Sequence, residues 1–198
     1  MIERARSRQC DGFDPPTFFV SDCRERPSLP CSCDVALAID DVVNCMGAEE
    51  DLISMFSQIG SSLTDSGIFI FDLVLHRAYE EYMRPATLRK AQDCFFLTYP
   101  DFIDALGCAK RGMKRVALLP VGSRSDQWQK EEYSFTEYYH RIETIRECLS
   151  KANLEVRDCF ELREPPKRID IAADSGEIYK ALFVCSKGKG GCHAGGNP

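Results

Sequence analysis

A chain of 198 residues, 44% hydrophobic and 28% charged, is long enough to bury one substantial core and has the balance of an ordinary globular domain. Its 31 acidic against 25 basic residues, a net charge of -6, disfavour broad electrostatic binding to nucleic acid or to anionic lipid. No apolar run approaches the ~20 residues that cross a bilayer, and the charged start Met1-Ile2-Glu3-Arg4 does not read as a signal peptide, so a cytoplasmic location is expected.

Residues 1–9 are charged and read as the last turns of a helix, ended by Asp11-Gly12 and Asp14-Pro15-Pro16. Thr17-Phe18-Phe19-Val20 has strand character, with Ser21-Asp22-Cys23 at its carboxyl end. The stretch that organises the chain runs from Cys33 to Val74. Asp34 to Ile39 is too short for a helix and reads as a buried strand closed by Asp40-Asp41. Glu49-Glu50-Asp51 then suits the positive end of a helix dipole, and Leu52, Phe56, Ile59 and Leu63 fall on one helical face. Asp65-Ser66-Gly67 is expected to stop that helix before the apolar run Ile68 to Phe71, which ends at Asp72. Strand, crossover helix and parallel strand place the ligand side at the carboxyl ends of the strands, where Asp40, Asp41 and Asp72 stand.

Residues 73–92 look like an irregular helical excursion. Asp93 to Tyr99, Lys114 to Val121 and the aromatic-rich stretch Trp128 to His140 read as strands of an inserted antiparallel sheet, with Pro120 placing the second at an edge or at its own end. The basic run Lys110 to Arg115 reads as a solvated loop. Ile142, Ile145, Leu149 and Ala152 define a second amphipathic helix capped by Asn153. Leu154 to Phe160 and Ala181 to Cys185 follow as an antiparallel pair, and 188–198 forms a Gly-rich tail expected to be disordered. The eleven cysteines lack the paired spacing of a structural zinc site and are expected to be reduced thiols.

In order and spacing these segments resemble the class I S-adenosylmethionine-dependent methyltransferases. The match rests on FFVSDCRE, CDVALAIDDVVNCM, the turn LTDSGIFIFDLV with its L-x-x-x-G, and the late HRIETIRECLSKANLEV followed by ALFVCSK. The resemblance covers residues 1–74 and 140–187. It implies an α/β, Rossmann-like, three-layer αβα fold in a single domain over 1–187, interrupted by an antiparallel insertion at about 75–139.

The resemblance also implies a cofactor, S-adenosyl-L-methionine, and a set of residues around it. Asp22 corresponds to the acid that accepts from the adenine amino group, with the Cys23 backbone beside it. Ile39 and Asp40 correspond to positions lining the cofactor, and Asn44 lies just beyond. Asp22 also reads as a turn cap, and Ile39, Asp40 and Asn44 as ordinary turn chemistry. Asp40, Asp41 and Asp72 are the candidates for orienting the acceptor, with a structural role as the competing use of Asp72. His140 with Tyr138 or Tyr139 are the candidates for a substrate lid or base, with core packing as the competing use of the aromatics.

The front of the family pattern is missing: no G-x-G-x-G occurs in residues 1–74. With a family strand order of 3-2-1-4-5-7-6, strands 1 and 2 would be absent from between the strands at 17–20 and 34–39. Those two strands would pair directly, or another chain (a second copy included) would fill the gap, or a preceding segment would complete the sheet. The resemblance thus implies a methyltransferase acting on a small molecule. The rival is a non-catalytic remnant that pairs with a partner subunit and binds no cofactor. A nucleotide-binding or NAD-binding domain shares the crossover unit but also needs the missing Gly-rich turn.

Overall fold

The computed structural model describes residues 16–25, 32–81, 86–91, 94–103, 110–120, 128–170 and 177–188. The predicted N-terminal helix over 1–9, the turn signals at 11–15 and the tail at 189–198 lie outside them. Among these residues nine strands form two sheets. The five-stranded sheet has the order β1 (Cys33–Ala38), β2 (Leu63–Val74), β9 (Lys180–Lys187), β7 (Leu154–Glu161), β8 (Lys167–Arg168). The four-stranded sheet is β3 (Thr87–Ala91), β4 (Cys94–Ile103), β5 (Lys110–Pro120), β6 (Trp128–Tyr138), with every pair antiparallel. The helices are α1 (Glu49–Ser62), the short α2 (His76–Glu81) and α3 (Ile142–Lys151), with a 3-10 turn at Val43–Cys45. No described helix is long and apolar enough to cross a membrane.

The central unit forms as its pattern dictates: β1 and β2 pair in parallel, from Val35 opposite Ile68 to Ala38 opposite Phe71. Leu52, Phe56 and Leu63 are sealed in the core. The predicted helix stop at Asp65-Ser66-Gly67 is displaced, because α1 already ends at Ser62 and β2 starts at Leu63. The ladder shifts register between Cys33 and Val35, and Gly67 sits at that shift. A Cβ there would lie 3.1 Å from the Cys33 carbonyl oxygen and 3.0 Å from Leu63 Cβ, so the close approach of the two strands is what Gly67 permits.

Alternation along β2 and β9 divides the sheet into two faces. Phe69, Phe71, Phe183 and Cys185 are fully buried on one, where Phe71 stacks on Phe183 at 4.8 Å and Phe56 of α1 closes on both Phe69 and Phe71. Ile145, Cys148 and Leu149 of α3 belong to the same core. Both longer helices therefore cover one face. Among the described residues the other face carries neither of these helices, and the helix read at residues 1–9 lies outside them. On the other face Ile68, Ile70, Leu182 and Val184 are half-buried and Val35 and Leu37 are exposed.

Three further expectations change. Residues 17–20 carry no regular secondary structure and join neither sheet, so direct pairing with β1 does not occur. The basic run at 110–115 is the first half of β5 rather than a loop, pairing with β4 and β6. Thr87–Ala91 is a strand that the helical reading of 73–92 missed. The second amphipathic helix forms as predicted, and Asn153 follows it with φ 57, the left-handed conformation that ends helices and that Asn tolerates.

Candidate functional site

The carboxyl ends of β1 and β2 meet at a charged cluster. Asp40 and Asp41 both have left-handed backbones, with φ 69 and 66, an arrangement that costs a non-glycine residue about 1–2 kcal/mol. Their consecutive N–H groups donate to the two oxygens of the Asp72 carboxylate, Asp40 to Oδ2 at 3.1 Å and Asp41 to Oδ1 at 3.0 Å. Lys180, first residue of β9, bridges Asp41 Oδ1 at 2.6 Å and Asp72 Oδ2 at 2.8 Å. Burial pulls the Lys180 ammonium down, but its hydrogen bonds to the two carboxylates outweigh it and raise the pKa above the ordinary lysine value. Asp72 is 2% exposed, so its oxygens are engaged in holding the turn.

Asn44, in the 3-10 turn, is fully buried. Its side-chain amide N–H group faces three acceptors, the Val74 carbonyl at 3.2 Å, the Tyr79 hydroxyl at 3.1 Å and the Tyr138 carbonyl at 2.9 Å, while its Oδ1 accepts from the Val74 N–H at 2.9 Å. The residue thus ties the turn after β1 to the end of β2 and to the end of β6. The Tyr138 ring packs against Gly47, where a Cβ would come within 2.7 Å of its Cζ. His140 is buried and its Nε2–H donates to the Met46 carbonyl at 2.8 Å, which leaves Nδ1 unprotonated in the neutral ring.

Burial lowers the His140 pKa below 6.5 against the opposing pull of the Met46 carbonyl and Glu49. A histidine depressed in the folded state is protonated first in the unfolded chain. Its contribution to stability is therefore complete above pH 6.5 and lost as the pH falls through the folded value. Urea unfolding in steps below pH 6.5 is expected to show this loss, and His140→Gln is expected to flatten that part of the curve.

A cavity of about 430 Å³ lies along the outer edge of β1, between α1 and the segment 19–25. Ala36 and Ala38 leave room on the strand side, Met55 and Ile59 form the helix wall, and Asp22, Cys23 and Ile39 complete the lining. Asp22 is held by Arg24, whose backbone N–H donates at 2.9 Å and whose guanidinium donates to both oxygens. These side-chain hydrogen bonds keep the carboxyl well below the usual range, at about 2. Arg24 also reaches Asp51 in the first turn of α1 at 3.1 Å, which fastens the segment over the cavity. A second recess of about 450 Å³ lies beside β7 and β8, lined by Arg157, Asp158 and Arg168, away from the strand ends of β1 and β2.

The sequence candidates thus divide into two groups. Asp22, Cys23 and Ile39 come together around the cavity. Asp40 is exposed and follows Ile39 into the turn. Asn44, Asp72, Tyr138 and His140 do not line the cavity; they join the turn after β1 to the rest of the molecule. Sequence reasoning missed Lys180, whose signal is a lone cation opening the apolar strand Ala181 to Cys185, opposite an acidic strand end. Among the described residues no group of three or more His, Cys, Asp or Glu is arranged to hold a metal.

No family model and no characterised protein sequence matches the chain. Its three-dimensional structure does match solved ones. An S-adenosylmethionine-dependent methyltransferase from Clostridium acetobutylicum superposes with a TM-score of 0.71 at 15% identity, over 87% of this chain and 65% of that one. The CcbJ methyltransferase from Streptomyces caelestis gives 0.62 at 13% identity, over 85% and 62%. The sugar N-methyltransferase KedS8 from Streptoalloteichus gives 0.59 at 11% identity, over 85% and 61%. The chain spans less than two thirds of the length of each. In fold, this chain is similar to solved S-adenosylmethionine-dependent methyltransferases.

Proposed function

We propose that the chain serves in methyl transfer from S-adenosyl-L-methionine to a small-molecule acceptor, and that the cavity beside β1 receives the adenosine end of the cofactor. The observation that carries this reading is the strand order β1-β2-β9-β7, with one parallel and two antiparallel pairings, next to a cavity lined by an acid. The chemistry of the lining fits. Alanine, methionine and isoleucine surfaces suit the faces of a purine, and a carboxylate has lone pairs enough to accept from an exocyclic amine while bound to Arg24. Bound there, the cofactor would supply an activated methyl group. The chain's own part would be orientation of the reactants, with Asp40 of the turn after β1 nearest the strand ends. Sugar and amino pentose methyltransferases among the structural neighbours support a small polar acceptor.

On this reading the cavity needs a further wall. Among the described residues β1 pairs only with β2, which leaves the backbone of its outer edge without a strand partner, and Val35 and Leu37 on the adjoining helix-free face are 50% and 66% exposed. An unpaired apolar strand edge is a template for a further strand, supplied by another segment or by a second copy. The alternative function, a partner-binding subunit without cofactor, draws on this same edge.

Calorimetric titration of S-adenosyl-L-methionine into the 198-residue chain decides between the two. The expected result is a saturable heat and a raised melting temperature, with Asp22→Ala weakening binding about tenfold, the loss of one hydrogen bond to a charged group. Absence of both heat and thermal shift would leave the partner-binding reading.

A further inference from the structure

We infer that Lys180 is a positioning residue, which holds the turn after β1 in its doubly left-handed form and through it shapes the rim of the β1 cavity. Two successive non-glycine residues in this conformation revert to the right-handed region unless their surroundings hold them. Here the restraint is a carboxylate that captures both N–H groups, Asp72 with Asp40 and Asp41. Consecutive backbone N–H groups converging on one anion form a concave anion seat, and in this chain a buried side chain fills that seat.

Asp72 cannot do this alone. The Asp41 carboxylate lies beside that of Asp72, both bonded to a single ammonium, and two like charges so close repel unless a cation lies between them. Lys180 is that cation. It arrives from β9, which runs antiparallel to β2 with Val74 opposite Lys180 and Asp72 opposite Leu182, so side chains 72 and 180 share one face of the sheet. Removing the ammonium leaves two carboxylates facing each other. Their repulsion adds to the strain of the turn, and a backbone movement of Asp41 away from Asp72 relieves both while taking its N–H off that carboxylate. Ile39, which lines the cavity, stands directly before the two residues that would move.

The effect on the cofactor rests on the proposed function; the effect on the turn does not. Lys180→Met keeps most of the stem and drops the charge, and Lys180→Arg keeps the charge. Amide hydrogen exchange of Asp40 and Asp41, followed by NMR, is expected to be at least tenfold faster in the Met variant and close to wild type in the Arg variant. Phe71 and Phe183, within the sheet, are expected to be unchanged in both. The dissociation constant for S-adenosyl-L-methionine should rise about tenfold in the Met variant alone.

Unchanged exchange at Asp40 and Asp41 in the Met variant would overturn the inference, as would equal acceleration at Phe71 and Phe183, which would make Lys180 a residue of general stability. Lys180→Gln, with the same expected exchange, repeats the test should the Met variant fail to fold. If the wild-type chain binds no cofactor, the proposed function fails, and the exchange comparison still decides the role of Lys180.

Discussion

Replacing Asp72 by alanine is expected to cost the fold about 3–5 kcal/mol, the penalty for breaking a buried ion pair by removing one partner. Two N–H groups, of Asp40 and Asp41, lose their acceptor at once, and the Lys180 ammonium is left with Asp41 alone. The turn they hold has two left-handed residues, so the backbone adds its own tendency to relax. Against a typical domain stability of about 5–15 kcal/mol, such a loss is readily measured by urea unfolding. The pairing with Lys180 has its own signature. Because the two side chains touch, the double variant Asp72→Ala/Lys180→Met is expected to cost less than the sum of the singles by about 1 kcal/mol or more. Additivity would mean that the contact contributes nothing and that Asp72 acts only through the two N–H groups.

Asp72 illustrates how far the sequence speaks. Its position at the end of an apolar run, level with Asp40 and Asp41, was legible, because strand ends follow from the lengths of the runs and from the crossover helix between them. Its use was not, because the cation that engages it lies more than a hundred positions away and reaches it only through the β2–β9 ladder. The same holds for Asn44, whose partners Val74 and Tyr138 come from two different sheets. Local pattern carried α1, β2, α3 and β9, where buried residues repeat with the period of the element, and it placed β1 and β7, although the burial expected of β1 is met only at Ala38.

It failed where an element is held by neighbours rather than by its own pattern. Residues 87–91 (TLRKA) have no apolar alternation, Leu88 is 68% exposed, and only the pairing with β4 makes them a strand. Residues 17–20 show the converse: aromatic and β-branched residues favour a strand, yet without an adjacent ladder they form none. The basic run at 110–115 was misread for a similar reason. Charge marks solvent exposure, which a strand of a half-solvated antiparallel sheet also has.

The other large effect is expected at Asn44. Asn44→Asp preserves the shape of the side chain and reverses one end of it. The amide N–H group that now faces the Val74 and Tyr138 carbonyls becomes an oxygen, and acceptor meets acceptor in a position with no exposure. An ionised carboxylate would be both desolvated and repelled there, so the introduced acid must stay protonated to keep even one donor. The expected cost at neutral pH is about 3 kcal/mol or more, equivalent to a fall of roughly 6–12 °C in melting temperature for a chain of this size.

The pH dependence distinguishes this account from simple loss of packing. The introduced carboxyl has its folded pKa raised above the unfolded value. Below the unfolded value, ~3.9, it is neutral in both states. As the pH rises from there the unfolded chain releases its proton first, so the deficit relative to wild type deepens with increasing pH. Asn44→Ala removes the brace without introducing a charge, and its deficit should not vary with pH. Urea unfolding of the three proteins at several pH values measures both trends. A flat difference between the Asp variant and wild type would mean that the side chain reaches water. Asn44 would then no longer be the dry link between the two sheets.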